Sequence, residues 1–206
     1  MRTMLAVVAA ASLVALAAAA APAGEQLVLK PYPGPTPWKH ITDQHKGGAW
    51  YREQIPGDQT VDGFRDILTD EAHPEWQGAD PADILKSRFQ VVAQSCTGVR
   101  VNGPVPQTEG GHAVAYGQLY CGQQNGKPFG VQVFFKVIAG DAAAYVISRD
   151  VHVQPSPDGG QLSFPKGHEQ DAEALLRTDA EANIYLTNSV YLCGGGSTDA
   201  RCGGQR

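Results

Sequence analysis

Residues 112–153 constrain the fold more than any other part of the chain. Three β-rich runs follow one another there: His112–Cys121, Phe129–Ile138 and Ala144–Val153. Asn125-Gly126 lies in the first gap and Ala139-Gly140-Asp141 fills the second. An Asn-Gly pair between β runs is a strong hairpin signal. Connections this short force antiparallel pairing, since a parallel crossover needs roughly a dozen residues or more. The three runs therefore predict a meander. In its middle run Val131, Val133, Phe135 and Val137 share one face, and Phe134 and Ile138 take the other. That pattern fits a central strand covered on at least one side and shielded by loops on the other.

Two segments can supply the cover. Asp80-Pro81-Ala82-Asp83 combines an N-cap carboxylate, proline at the first helical position and an acid in the first turn. Ile84, Leu85, Phe89 and Val92 then recur at helical spacing, which predicts a helix to about Ser95. A second helix is expected from His168, with Ala172, Leu175, Leu176, Ala182, Leu186 and Val190 as its apolar stripe. Glu169, Asp171 and Glu173 suit its N-terminal dipole, and it should stop at Cys193-Gly194-Gly195-Gly196.

Upstream, Trp38–His45 and Ala49–Ile55 read as strands joined at Lys46-Gly47-Gly48, and Asp66–Ala72 as a third. Pro56–Thr60 is a turn, and Thr60–Phe64 a single helical turn. Pro31, Pro33, Pro35 and Pro37 predict a stiff extended arm over residues 24–37; a ligand for a proline-reading module is the sharper alternative. Val99–Val101 reads as a short strand ended by Asn102-Gly103-Pro104, with a loop over 103–111 and another over Pro155–Gly167. The expected architecture is a single α+β domain over 38–206. Its antiparallel sheet has about six or seven strands, flanked by helices near 81–95 and 168–192.

Residues 1–23 read as a signal peptide: Arg2, an apolar Leu5–Ala20 and the small-residue site Ala21-Pro22-Ala23. An uncleaved membrane anchor is the alternative, disfavoured because the stretch is short for a span of ~20 residues. No later segment approaches that length, so the mature chain from Gly24 is expected to be exported, periplasmic or extracellular, with no membrane span. Its 15 basic and 21 acidic residues give a net charge of −6, and the basic ones are scattered singly. Nucleic-acid binding and attraction to anionic lipid are thereby disfavoured, since both need concentrated positive charge.

Cys96, Cys121, Cys193 and Cys202 form an even set, which in an oxidising compartment predicts two disulfides. Of three possible pairings the nearest in sequence is favoured, Cys96 with Cys121 and Cys193 with Cys202. Loop entropy assigns these about 3.5 and about 2.7 kcal/mol if unstrained. A redox or zinc centre fits poorly, because no Cys-x-x-Cys occurs and no histidine stands at zinc spacing.

Glu53-x-Ile55-Pro56-Gly57-x-Gln59-Thr60, Phe64-x-x-Ile67-Leu68-Thr69, the Cys96/Cys121 pair and Phe135-Lys-Val-Ile-x-Gly140 before Tyr145-Val146 resemble landmarks of small uncharacterised exported bacterial proteins. The resemblance covers about half of the chain and implies a layered α/β domain of the Mog1/PsbP sandwich type. Its motifs are turn and core residues, so it carries no catalytic residue across. Phe64 stands where tryptophan is expected.

Candidate chemistry is sparse. His40 and His45, five apart on one strand, are expected to face opposite ways. His112 and His152 would lie two strands apart, and no His-x-x-x-His occurs, so no metal or other cofactor is expected. Glu169, Asp171 and Glu173 lack EF-hand geometry, and the glycine-rich loops near 110 and 194 lack the lysine of a phosphate cradle. There is no Gly-x-Ser-x-Gly elbow, and Ser95, Ser148 and Ser189 sit inside regular elements. Asp150 and His152, on one face of one strand, are the sharpest polar pair, a base with its orienter. The leading reading is an exported non-catalytic accessory or binding protein of the cell envelope, acting on a protein, lipid or small apolar ligand. A hydrolase using Asp150 and His152, and a structural envelope protein, are the alternatives.

Overall fold

The computed structural model describes residues 24–156 and 169–204. The expected signal peptide and most of the loop before the second helix lie outside them.

Seven strands form one antiparallel sheet: β2 (Trp38–Lys46), β3 (Ala49–Pro56), β4 (Asp66–His73), β5 (Cys96–Glu109), β6 (His112–Gln124), β7 (Gly130–Ala139) and β8 (Ala144–Val153). Their order is β2-β3-β4-β8-β7-β6-β5. The expected meander is β6-β7-β8, at the heart of the sheet. A separate antiparallel ribbon joins β1 (Gln26–Leu29) to β9 (Val190–Cys193).

Helix α1 (Pro81–Ala93) starts where the sequence placed it, with the Asp80 carboxylate accepting from the Ala82 amide at 2.8 Å. Its Ile84, Leu85 and Phe89 pack on Leu119, Val133, Phe135 and Val137, and Phe89 meets Phe135 edge-on at 5.7 Å. The close seat depends on Gly117 of β6, where a Cβ would come within 2.5 Å of the Phe89 ring. Helix α2 (Glu169–Asn188) covers the other face. Ala182, Tyr185 and Leu186, with Leu27 and Leu192 of the ribbon, enclose Leu68, Phe134, Ile138, Tyr145 and Ile147. Each large side chain so buried is worth about 1.5–3 kcal/mol. Tyr32 of the proline-rich segment is buried between Trp38 and Tyr185, with ring centroids 4.8 and 4.4 Å away. Arg149 stacks over it and donates to its hydroxyl.

Cys96 bonds to Cys121 and Cys193 to Cys202, leaving no free cysteine. The first bridge links two neighbouring strands, because Cys96 already opens β5.

Four expectations need correction. The segment 103–111 is not mainly a loop: β5 continues to Glu109 across a bulge between Asn102 and Val105, where Gly103 adopts φ 102°. Prolines 104 and 106 are tolerated because β5 is an edge strand, with no ladder to break on its outer side. The first helix ends at Ala93, short of Ser95. The second ends at Asn188, and Val190, the last residue of its supposed stripe, opens β9 (Val190–Cys193) instead. A short apolar run is ambiguous between helix and strand, and here the distant partner β1 decides. Finally, Leu176 points to solvent, 69% exposed, and Tyr185 takes the core position instead.

Candidate functional site: a cleft beside α1

Thirteen helical residues span about 20 Å, and α1 spends them on β5, β6 and β7. Among the described residues no α-helix lies along the same face of β8, β4 and β3. A cleft of about 940 Å³ opens there. Its floor is Ile67, Val131, Val133 and Phe135 of the sheet, and Val91 and Val92 of α1 and Val61 to Phe64 also line it.

The sequence changes character where the cover ends. On this face of β8, Ala144 and Val146 lie in the core with α1, and then come Ser148, Asp150 and His152. Pairing places Asp150 between Val133 of β7 and Ile67 of β4, and Ser148 opposite Thr69. Further along, Thr69 faces Glu53 and Glu71 faces Tyr51. One polar wall is thus assembled from three strands.

The carboxylates of this wall differ in their partners. Glu71 is paired with the Arg88 guanidinium and with His73 Nε2 at 2.6 Å. His73 also bonds Glu75 at 2.9 Å and stacks on Trp76 at 3.8 Å. Glu53 accepts hydrogen bonds from Thr42 at 2.5 Å and Tyr51 at 2.6 Å, both neutral donors. Burial and the bond to Glu53 push the Tyr51 phenol well above its ordinary range. Asp150 is half-buried, and its Oδ1 is shielded from water without a partner. Burial raises its pKa to about 7; a bond with Ser148 opposes the rise, while the charges of Asp66, Glu53 and Glu71 add to it. Among the described residues neither Glu53 nor Asp150 has a cationic partner.

Asp150 and His152 both line the cleft, but no side-chain hydrogen bond joins them among the described residues. The His152 ring instead lies flat on Phe129, centroids 3.7 Å apart, with Phe64 at 5.5 Å. Burial holds its pKa below the usual histidine value, so it is neutral at pH 7.

The remaining candidates are scattered. The bulge between His40 and Thr42 brings His40 opposite Gln54 and His45 opposite Trp50, so both histidines share a face, contrary to expectation. Four residues of strand still separate them, and His45 bonds Asp43 at 2.7 Å. His112 is buried at the start of β6, on the sheet face opposite to His152. Ser95 bonds the Val92 carbonyl at the cleft edge. His168 lies outside the described residues. Sequence reasoning passed over Tyr51, Glu53, Thr69, Glu71 and Arg88. The every-second-residue spacing of Tyr51 with Glu53 and of Thr69 with Glu71 was visible, but it reads equally as a solvated face until strand order brings them beside Asp150.

The arrangement can hold an apolar group on the floor and a positively charged or hydrogen-donating group against Glu53 and Asp150. It can also exchange a proton near neutral pH.

A search against protein-family models finds no match, and a search of curated protein sequences finds none. Two solved structures are similar. One is the protein of unknown function PA94 from Pseudomonas aeruginosa, 12% identical, covering 68% of this chain and 96% of its own, with TM-score 0.35. The other is LpqN of Mycobacterium tuberculosis, involved in cell envelope biogenesis, 14% identical, covering 84% and 89%, with TM-score 0.38. Likeness at this level carries no inference about activity. The Mog1/PsbP likeness is not among these findings.

Proposed function

We propose that this chain is an exported binding protein of the cell envelope, and that the cleft beside α1 receives a small amphipathic cation. The carrying observation is the coexistence, in one cleft, of an apolar floor with two carboxylates, Glu53 and Asp150, that lack a cationic partner among the described residues. A volume of about 940 Å³ falls within the range of small-molecule sites, roughly 300–1,000 Å³. A buried carboxylate is costly without a partner, and a bound ammonium or guanidinium group supplies one. The pairing of all four cysteines supports an oxidising, extracytoplasmic compartment.

Calorimetric titration with dodecylamine and with lauric acid tests this reading. The amine should bind, at least ten-fold more weakly to Asp150→Asn, and the carboxylic acid should not. Preference for the acid, or amine affinity unmoved by both Asp150→Asn and Glu53→Gln, would overturn it.

One observation favours a second reading, general acid–base catalysis by Asp150: its pKa of about 7 suits a proton donor and acceptor at neutral pH. His152, stacked on Phe129, would then shape the site rather than orient the base. A turnover whose pH profile bends near 7, and which Asp150→Asn abolishes while ligand still binds, would favour it over simple binding.

A further inference from the structure

We propose that Glu25, His112 and Asp141 bind a divalent first-row transition cation, zinc above all, on the α2 side of the sheet and apart from the cleft. The three residues come from separate segments: Glu25 precedes β1, His112 opens β6, and Asp141 lies in the β7–β8 turn. One ligand atom from each lies within 4.8 Å of the other two.

The second, independent observation is the state of the histidine. His112 is 6% exposed, and its Nε2 is sealed from water without a hydrogen-bond partner. Leaving such a nitrogen unsatisfied costs about 1–3 kcal/mol.

The carboxylates, by contrast, are held in place from behind. Glu25 Oε1 accepts from the Ala142 amide at 3.0 Å and the Tyr145 hydroxyl at 2.9 Å, and Oε2 accepts from the Asp141 amide. Asp141 Oδ2 accepts from the Gly196 amide at 2.9 Å. Gly195 packs so closely that a Cβ there would lie 2.9 Å from the same oxygen. Each carboxylate keeps a free lone pair, and donors behind it fix its direction, as second-shell groups do around metals. No Lys or Arg pairs with Glu25 or Asp141 among the described residues, so two negative charges face the imidazole uncompensated.

An ion at the centre of such a triangle lies at most about 2.8 Å from each ligand atom, against about 2.0–2.2 Å for zinc bonds to imidazole and carboxylate. The site must close by less than about 1 Å per ligand, and the exposed Asp141 side chain, anchored through Oδ2 alone, can turn its other oxygen inward. One imidazole with two carboxylates suits a borderline cation better than calcium or magnesium, which prefer oxygen alone. Water would complete the coordination. The bound ion would tie the segment before β1 to β6 and the β7–β8 turn, and would stabilise the fold by linkage.

The test is calorimetric titration of the chelator-treated full-length protein with Zn²⁺, with Ca²⁺ as control. One zinc site is expected, at least ten-fold weaker in Asp141→Asn and lost in His112→Gln. Zinc should also raise the melting temperature of the wild type and not that of His112→Gln. Because Asp141 is exposed, its variant remains folded even if His112→Gln does not. Absence of stoichiometric uptake would overturn the proposal and leave a bare His112–carboxylate cluster. So would calcium preferred over zinc, or zinc binding unchanged by both substitutions, which would place the ion elsewhere, for instance at His45 and Asp43.

Discussion

Lys136 Nζ lies 2.6 Å from Glu109 Oε2 while its own side chain is wholly inaccessible to solvent. The ammonium also donates to the carbonyls of Leu186, at 3.0 Å, and Val190, at 2.8 Å. All three donor positions are therefore used, and the lysine of a central strand anchors the C-terminal turn of α2 and the start of β9. Burial still lowers its pKa; the Glu109 bond and charge oppose that.

Removing the anion should cost more than removing the pair. Glu109→Gln strands a buried cation and is expected to destabilise by about 3–5 kcal/mol, whereas the double change with Lys136→Met should recover part of that loss. Urea denaturation of the three variants measures both. An additive double variant would show that the two side chains are not coupled.

Asp150 makes stability depend on pH with a definite sign. Its pKa is raised from 3.8 to about 7, so between those values the folded state holds more protons than the unfolded one. Stability then falls as pH rises from about 4 to about 7. Asp150→Asn lacks this loss. Its advantage over the wild type should be near zero at pH 4 and on the order of 4 kcal/mol at pH 8. Thermal unfolding at the two pH values reads the difference; a constant gap would show that Asp150 ionises normally.

Gly117→Ala drives a methyl group toward Phe89 and Leu85, where a Cβ would meet atoms at 2.5 and 3.0 Å. The floor there is strand backbone and cannot recede, so α1 must lift. A loss of about 1–3 kcal/mol is expected. The companion Phe89→Leu should relieve part of it, because the smaller side chain vacates the clash. Chemical denaturation of the single and double variants checks this.

The sheet was legible because its signals are local. Asn125-Gly126 and Lys46-Gly47-Gly48 fix hairpins without help from distant residues, and Asp80-Pro81 announces a helix start. β1 and β9 were not, since four residues carry little periodicity and each strand exists only through its partner at the far end of the chain. β5 was misread because Pro104 and Pro106 forbid a central strand but not an edge. Within the cleft, Asp150 and His152 were visible as an alternating pair on one strand. The acids that raise the Asp150 pKa were not, because Glu53 and Glu71 reach it only through the order β3-β4-β8.

If an alkylammonium ion occupies the cleft, its affinity should follow the charge of Asp150. At pH 5 the carboxyl is mostly protonated, and binding the cation must first expel that proton. Affinity should therefore rise about ten-fold per pH unit up to about pH 7 and level off above it, where Asp150 is already ionised. His152 contributes no slope above pH 7, since burial keeps its pKa below the ordinary value and its ring stays neutral there. Binding must also release up to one proton at pH 6, detectable as a dependence of the calorimetric heat on the buffer's ionisation enthalpy. In Asp150→Asn both the slope and the proton release should vanish. If they persist, the cation is seated against another carboxylate, and Asp150 is not the group that recognises it.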